Sequence, residues 1–103
     1  MVDIFKSLSE ESRLRILSLL AQDEMCVCEI EECLKMAQSN ASRHLTALKK
    51  SGILDSYKKA QWAYYKVSDT FIRENAKLWD YLKEKFKEDA IYQVDFKEHR
   101  NCN

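Results

Sequence analysis

The sequence predicts a mainly α fold with a small β-hairpin, arranged as a winged helix-turn-helix, and three observations predict it. Two stretches with apolar residues at helical spacing, about 27–36 and 39–52, are joined by a turn of a few residues. Directly after them come two short runs rich in aromatic and β-branched residues, 53–57 and 62–67, which read as a hairpin or wing. Positive charge is concentrated over the same region. Residues 38–66 carry 6 basic groups against 1 acidic, whereas residues 1–37 carry 4 against 8 and residues 67–103 carry 7 against 8. The chain as a whole is neutral, so the placement of charge, not its sum, points to a polyanionic partner.

The 103 residues contain one glycine, no proline, no repeat and no low-complexity stretch, which predicts a single domain over 1–103 without a linker. With 46% hydrophobic and 33% charged residues the balance is that of a globular chain. No stretch is apolar enough to span a bilayer and the start lacks a signal-peptide pattern, so a cytoplasmic location without a membrane partner is expected. No glycine-rich phosphate loop, paired catalytic carboxylates or histidine near a reactive thiol is evident, which argues against an enzyme.

A first short helix is expected over 3–8, and a second after Ser9, whose hydroxyl would cap it, running to about residue 22. Leu14, Leu17 and Ala21 form one stripe of that second helix while Ile16 and Leu20 lie nearly opposite, as in a helix packed on two sides. The helix-turn-helix is placed at about 27–52, with Val27, Ile30, Leu34 and Ala37 on one face of its first helix and Gly52 ending its second. The wing covers about 53–67, with Lys58, Lys59, Ala60 and Gln61 as its turn. A last helix over about 70–88, capped by Ser68 or Asp69, carries Phe71, Ile72, Leu78, Trp79, Leu82 and Phe86 on one broad stripe that calls for a partner subunit. The tail, 89–103, is expected to be partly polar and loose apart from Ile91, Tyr92, Val94 and Phe96.

In the second helix of the motif Ala41, Leu45 and Leu48 must face the core, which leaves Ser39, Ser42, Arg43, Thr46 and Lys50 opposite. Short hydroxyls let a backbone come close to DNA, and long cations reach phosphates or guanine edges, so this face suits the major groove, with Arg43 as base reader. Lys58, Lys59 and Gln61 at the wing tip would touch flanking phosphates. Asn40 and His44 lie at the edge of the apolar stripe, open to either packing or phosphate contact.

Cys26 and Cys28 sit at the mouth of the first helix of the motif. Thiolates are soft ligands, and a helix N-terminus is expected to lower their pKa. In a regular helix residues two apart diverge by about 200°, so sharing one ion requires this helix start to be non-helical or to unwind. Such an unwinding would work as a switch. The third donor is left open. Cys33, about 140° round the helix from Cys28, reads as a core residue, and Cys102 in the tail is either a ligand, from its own or the partner subunit, or an incidental thiol. A thiol redox pair and a helical protein-interaction module are the competing readings.

From Ser9 to Val67, and more loosely through the last helix, the chain resembles the ArsR/SmtB family of metal-responsive repressors. The residues that carry the resemblance are Ser12-Arg13-Leu14-Arg15-Ile16-Leu17, Cys26-Val27-Cys28-Glu29-Ile30, Gln38-Ser39-Asn40 with Ser42-Arg43-His44-Leu45, and Trp62-Ala63-Tyr64-Tyr65-Lys66-Val67. The resemblance implies a homodimer formed by the first and last helices that binds operator DNA and is released by an inducer. The Cys-Val-Cys motif is similar to that of arsenic(III) and antimony(III) sensors and of cadmium and lead sensors. It departs from both: Glu31 stands where the arsenic pattern has a third cysteine, and the N-terminal cysteines of the cadmium pattern are missing. The last helix also lacks the histidines of the zinc sensors. The resemblance implies a metal(loid) site at Cys26 and Cys28, with arsenite first, and the tail offers Cys102 as the candidate third donor.

Overall fold

The computed structural model of the chain describes residues 1–89 and residue 92. Helix α1 (Val2–Leu8) is followed by α2 (Glu11–Leu20), but Ser9 does not start the second helix as expected. Its hydroxyl donates to the Lys6 carbonyl at 2.7 Å and so closes the end of α1, while Glu10, in an extended conformation, takes the N-cap place of α2. A serine between two helices can satisfy the carbonyls behind it or the amides ahead, and here the helix behind it wins. Residues 16–20 of α2 are all buried, which confirms the expected central helix packed on more than one side.

Strand β1 (Met25–Cys26) was not expected from the sequence. It is followed at once by α3 (Val27–Leu34), then α4 (Gln38–Lys50), and these two helices form the helix-turn-helix. Helix α3 stops two residues earlier than expected because Lys35 takes a left-handed conformation, φ 55°. The end of α4 is as the single glycine predicts. Gly52 has φ 85°, its amide donates to the Lys49 carbonyl, and the Ile53 amide donates to that of Leu48, each at 3.0 Å. This pair of bonds is a Schellman stop, and the fully buried Ile53 and Leu48 supply its usual apolar contact.

Strands β2 (Leu54–Lys59) and β3 (Trp62–Val67) pair antiparallel with Lys59 opposite Trp62, so the wing turn is only Ala60 and Gln61. Lys58 and Lys59 belong to the strand, a correction to the four-residue turn expected. Ala60 has φ 58°, a conformation that a two-residue hairpin needs and that glycine or asparagine usually fills. Met25 and Cys26 pair with Tyr65 and Tyr64, so the wing is part of a three-stranded sheet in the order β1-β3-β2.

The expected last helix is two helices, α5 (Asp69–Glu74) and α6 (Ala76–Glu88), broken at Asn75. Ser68 caps the first, its Oγ accepting from the Phe71 amide at 3.2 Å. In an unbroken helix Phe71 and Trp79 would point about 80° apart; the break lets both enter the core. There Phe71, Trp79, Phe86 and Tyr92 form a ladder of edge-to-face rings with centroids 5.0–6.4 Å apart. Much of the stripe finds cover within one chain, since Phe71, Trp79, Leu82 and Phe86 are buried, while Ile72 and Leu78 stay half-buried. Ile91, Val94 and Phe96 lie outside the described residues. Among the described residues no helix is long and apolar enough to cross a membrane.

Candidate nucleic-acid interface and thiol site

Helix α4 sorts its residues as the wheel demands. Ala41, Leu45 and Leu48 are fully buried, and Ser39, Asn40, Ser42, Arg43, Thr46 and Lys50 are exposed. Asn40, open to either role, therefore joins the exposed set, and Lys49, which the sequence reading passed over, stands beside Lys50. His44 does not: it is 3% exposed, which favours packing of the two roles left open. Its Nδ1 accepts from Arg13 Nε at 3.2 Å, and Arg13 in turn is paired with Glu10 at 2.9 Å. Burial lowers the His44 pKa below the ordinary histidine value, with the Arg43 charge next in size and Glu10 acting in the opposite sense. From the sequence Arg13 had no role beyond its place in the family resemblance. The signal was a histidine on a buried edge, which must find a partner.

The wing tip exposes Lys58, Lys59 and Gln61, as expected, and Trp62 beside them. Side chains alternate across a strand, so the two lysines face opposite sides of the ribbon. Lys59 shares its side with Trp62, Tyr57, Tyr64, Asp55 and Lys66, whereas Lys58 shares the other with Ala63, Ser56 and Tyr65. Tyr57 and Tyr64 stack with centroids 5.7 Å apart, and the Tyr57 hydroxyl donates to Glu24. That bond ties the wing to the segment before β1.

Cys26 is at once the last residue of β1 and the N-cap of α3, with φ −79° and ψ 161°. A capping box closes this helix start: the Glu29 carboxylate accepts from the Cys26 amide at 3.1 Å, and the Cys26 sulfur takes the serine's usual place toward the Glu29 amide. Because an N-cap residue is not helical, its side chain converges with that of Cys28, and the two sulfurs lie 2.6 Å apart as free thiols. The expected conflict between helix and shared ion is thus removed; α3 has no need to unwind.

The expected low pKa is also corrected for Cys26. Burial pushes its thiol up to about 11, the contact with Cys28 adds to this, and the Glu29 amide pulls the other way without overcoming it. Cys26 is buried and Cys28 exposed, so one sulfur is anchored in the fold and the other faces solvent. Cys33 is 2% exposed and belongs to the core, as expected. Cys102 lies outside the described residues, and among those described no three His, Cys, Asp or Glu side chains converge as a metal site. The two thiols suit a soft ion by their chemistry.

Residues 3–56 match the model of the family described as bacterial regulatory protein, arsR family. The chain is 43% identical over 81 residues to an uncharacterized HTH-type transcriptional regulator of Methanocaldococcus jannaschii, covering 78% of this chain and 91% of that one. It is 42% identical over 65 residues to the arsenic resistance transcriptional regulator ArsR1 of Pseudomonas putida, covering 62% and 51%. To the cadmium resistance transcriptional regulatory protein CadC of Listeria innocua it is 44% identical over 62 residues, covering 59% and 52%. The match thus spans about half the length of these last two relatives. Among solved structures, the homodimeric winged helix-turn-helix DNA-binding domain of a possible ArsR-family regulator from Mycobacterium bovis aligns with TM-score 0.69 at 29% identity, covering 86% of this chain and 83% of that one. The family match takes in the whole helix-turn-helix and ends within β2, and the chain belongs to the arsR family of bacterial regulatory proteins, which are transcriptional regulators and not enzymes.

Proposed function

We propose that the protein is a homodimeric repressor that binds operator DNA through α4 and the wing and is released when arsenic(III) or antimony(III) binds Cys26 and Cys28. The observation that carries the inducer reading is the convergence of the two sulfurs at the junction of β1 and α3. That junction faces both DNA-contacting elements. β1 is hydrogen-bonded to the wing strand β3, and α3 packs against the recognition helix α4. An ion held there acts on the placement of wing and helix together, without melting either. This replaces unwinding as the form of the switch.

Arsenite takes three thiolates, so the third donor is Cys102, from the same chain or from the partner subunit. Relatives named as arsenic and cadmium resistance regulators support a soft-ion inducer of this class; cadmium and lead are the alternatives. Ser39, Asn40, Ser42, Thr46 and Lys50 approach the groove with Arg43, and Lys58, Lys59 and Gln61 the flanking phosphates. Dimerisation draws support from the homodimeric neighbour and from α1, which leaves Val2 66% and Phe5 53% exposed. The experiment is a titration of the preformed operator complex with arsenite, antimonite, cadmium, lead and zinc. Release by arsenite at the lowest concentration supports the reading. Release by none of the five overturns the inducer reading, and a protein with no preference for its operator overturns the repressor reading.

A further inference from the structure

The imidazole of His44 is flanked by two arginines. Arg13 from α2 donates to Nδ1 at 3.2 Å, and the Arg43 guanidinium stands 3.4 Å from Nε2. A nitrogen that accepts cannot carry the proton, so in the neutral ring the hydrogen is on Nε2. Arginine has donors only. The N–H edge of His44 therefore meets the N–H edge of Arg43, and their closeness is a contact of two donors. Arg13 itself is held from behind by Glu10 at 2.9 Å, which orients its Nε toward α4. Among the described residues no carboxylate is paired with Arg43. With the other tautomer, the bare Nε2 lone pair would accept from Arg43 and hold the guanidinium against its own helix. Reaching a base would then first require breaking that bond.

We propose that Arg13 and His44 are positioning residues for DNA recognition: Arg13 fixes the tautomer of His44, and that tautomer keeps the Arg43 guanidinium uncommitted and available to a base edge. This rests on the reading of Arg43 as the base reader and adds to it a residue from α2, outside the helix-turn-helix. The chemistry required of the partner is an acceptor pair such as guanine O6 and N7, which a free guanidinium takes in bidentate form.

The test compares Arg13→Met, which keeps length and loses the donor, with Arg13→Gln, which keeps an N–H donor, and with Arg43→Ala. The readouts are the ratio of operator to random-sequence affinity and the imidazole nitrogen shifts of His44, which identify the protonated nitrogen. Arg13→Met is expected to shift the proton toward Nδ1 and lower the ratio by roughly tenfold. Arg13→Gln restores both. In the Arg13→Met, Arg43→Ala double variant the loss is no larger than in Arg43→Ala alone, because both changes act on one contact. A ratio unchanged in Arg13→Met, a proton that stays on Nε2, or additive losses in the double variant overturns this proposal while leaving Arg43 as base reader. A ratio unchanged in Arg43→Ala overturns that reading, and this one falls with it.

Discussion

Arg13 on α2 and His44 on α4, 31 residues apart in sequence, are joined by a hydrogen bond in which Arg13 Nε donates to His44 Nδ1 at 3.2 Å. The bond couples the first turn of the central helix α2 to the middle of α4, the second helix of the helix-turn-helix. It also fixes the charge state of the ring, because an acceptor nitrogen beside two arginines cannot readily be protonated.

A pH dependence of stability follows. The folded-state pKa of His44 is lowered, first by burial and then by Arg43, so the unfolded chain binds a proton more readily than the folded one. Stability from this group is complete above the unfolded pKa of about 6.5 and is lost as pH falls from there toward the lower folded value. Denaturant midpoints at pH 7.5, 6.5 and 5.5 are expected to fall with acid in the native chain, and to fall less steeply in His44→Gln. Equal slopes in the two would remove His44 as the cause.

The wing and the α3 end each hold a non-glycine residue at positive φ, Ala60 at 58° and Lys35 at 55°. Glycine relieves the crowding of Cβ there, worth roughly 1–2 kcal/mol, but loses roughly 0.5–1 kcal/mol through its freer unfolded chain. Lys35→Gly and Ala60→Gly are each expected to raise stability by about 0.5 kcal/mol, read by urea denaturation. A loss of stability in both variants would contradict the argument.

Trp79 is buried within its own chain, between Phe71 and Phe86, so Trp79→Ala is expected to cost about 3–5 kcal/mol of folding stability. Phe5→Glu changes an exposed residue and is expected to leave the fold intact while weakening the proposed dimer. Circular dichroism and sedimentation separate the two outcomes. A Phe5→Glu chain that sediments as a full dimer moves the interface away from α1.

For DNA contact, Arg43→Ala is expected to cost roughly 1–3 kcal/mol on the operator and to relax base preference. Lys59→Ala is expected to weaken all sequences alike and lower the salt slope by about one unit. Binding isotherms over a range of salt concentrations check both.

Cys28→Ser is expected to leave operator binding nearly intact and to abolish release by arsenite, since a serine hydroxyl can stand in for the exposed sulfur beside Cys26 but not as a soft ligand. Cys26→Ser keeps the capping box, a place that serine fills well, and is likewise expected to bind DNA without responding. Cys102→Ser lowers arsenite affinity if the tail thiol is the third donor. Emptying most operators requires about 10²-fold weaker arsenite binding in the presence of DNA, or about 3 kcal/mol of coupling. Calorimetric arsenite affinities that are equal with and without operator would sink the mechanism.

The sequence by itself determined the elements whose signal is local. The spacing of Ala41, Leu45 and Leu48 settled which face of α4 is buried, because a helix repeats every 3.6 residues whatever surrounds it. Gly52 marked its end, and the exposed cations of α4 and the wing, Lys49 apart, could be named from the pattern alone. What needed the tertiary structure depended on residues far apart in the chain. Strand β1 exists only because Met25 and Cys26 meet Tyr65 and Tyr64 about 40 positions later, and two residues are too few to show an alternation. The break at Asn75 serves a core that Phe71 and Trp79 enter together, which no wheel drawn on one straight helix contains. The meeting of Cys26 and Cys28 followed from the same cause: pairing with the wing holds Cys26 extended, and an extended residue ahead of a helix brings together two sulfurs that a helix would keep apart.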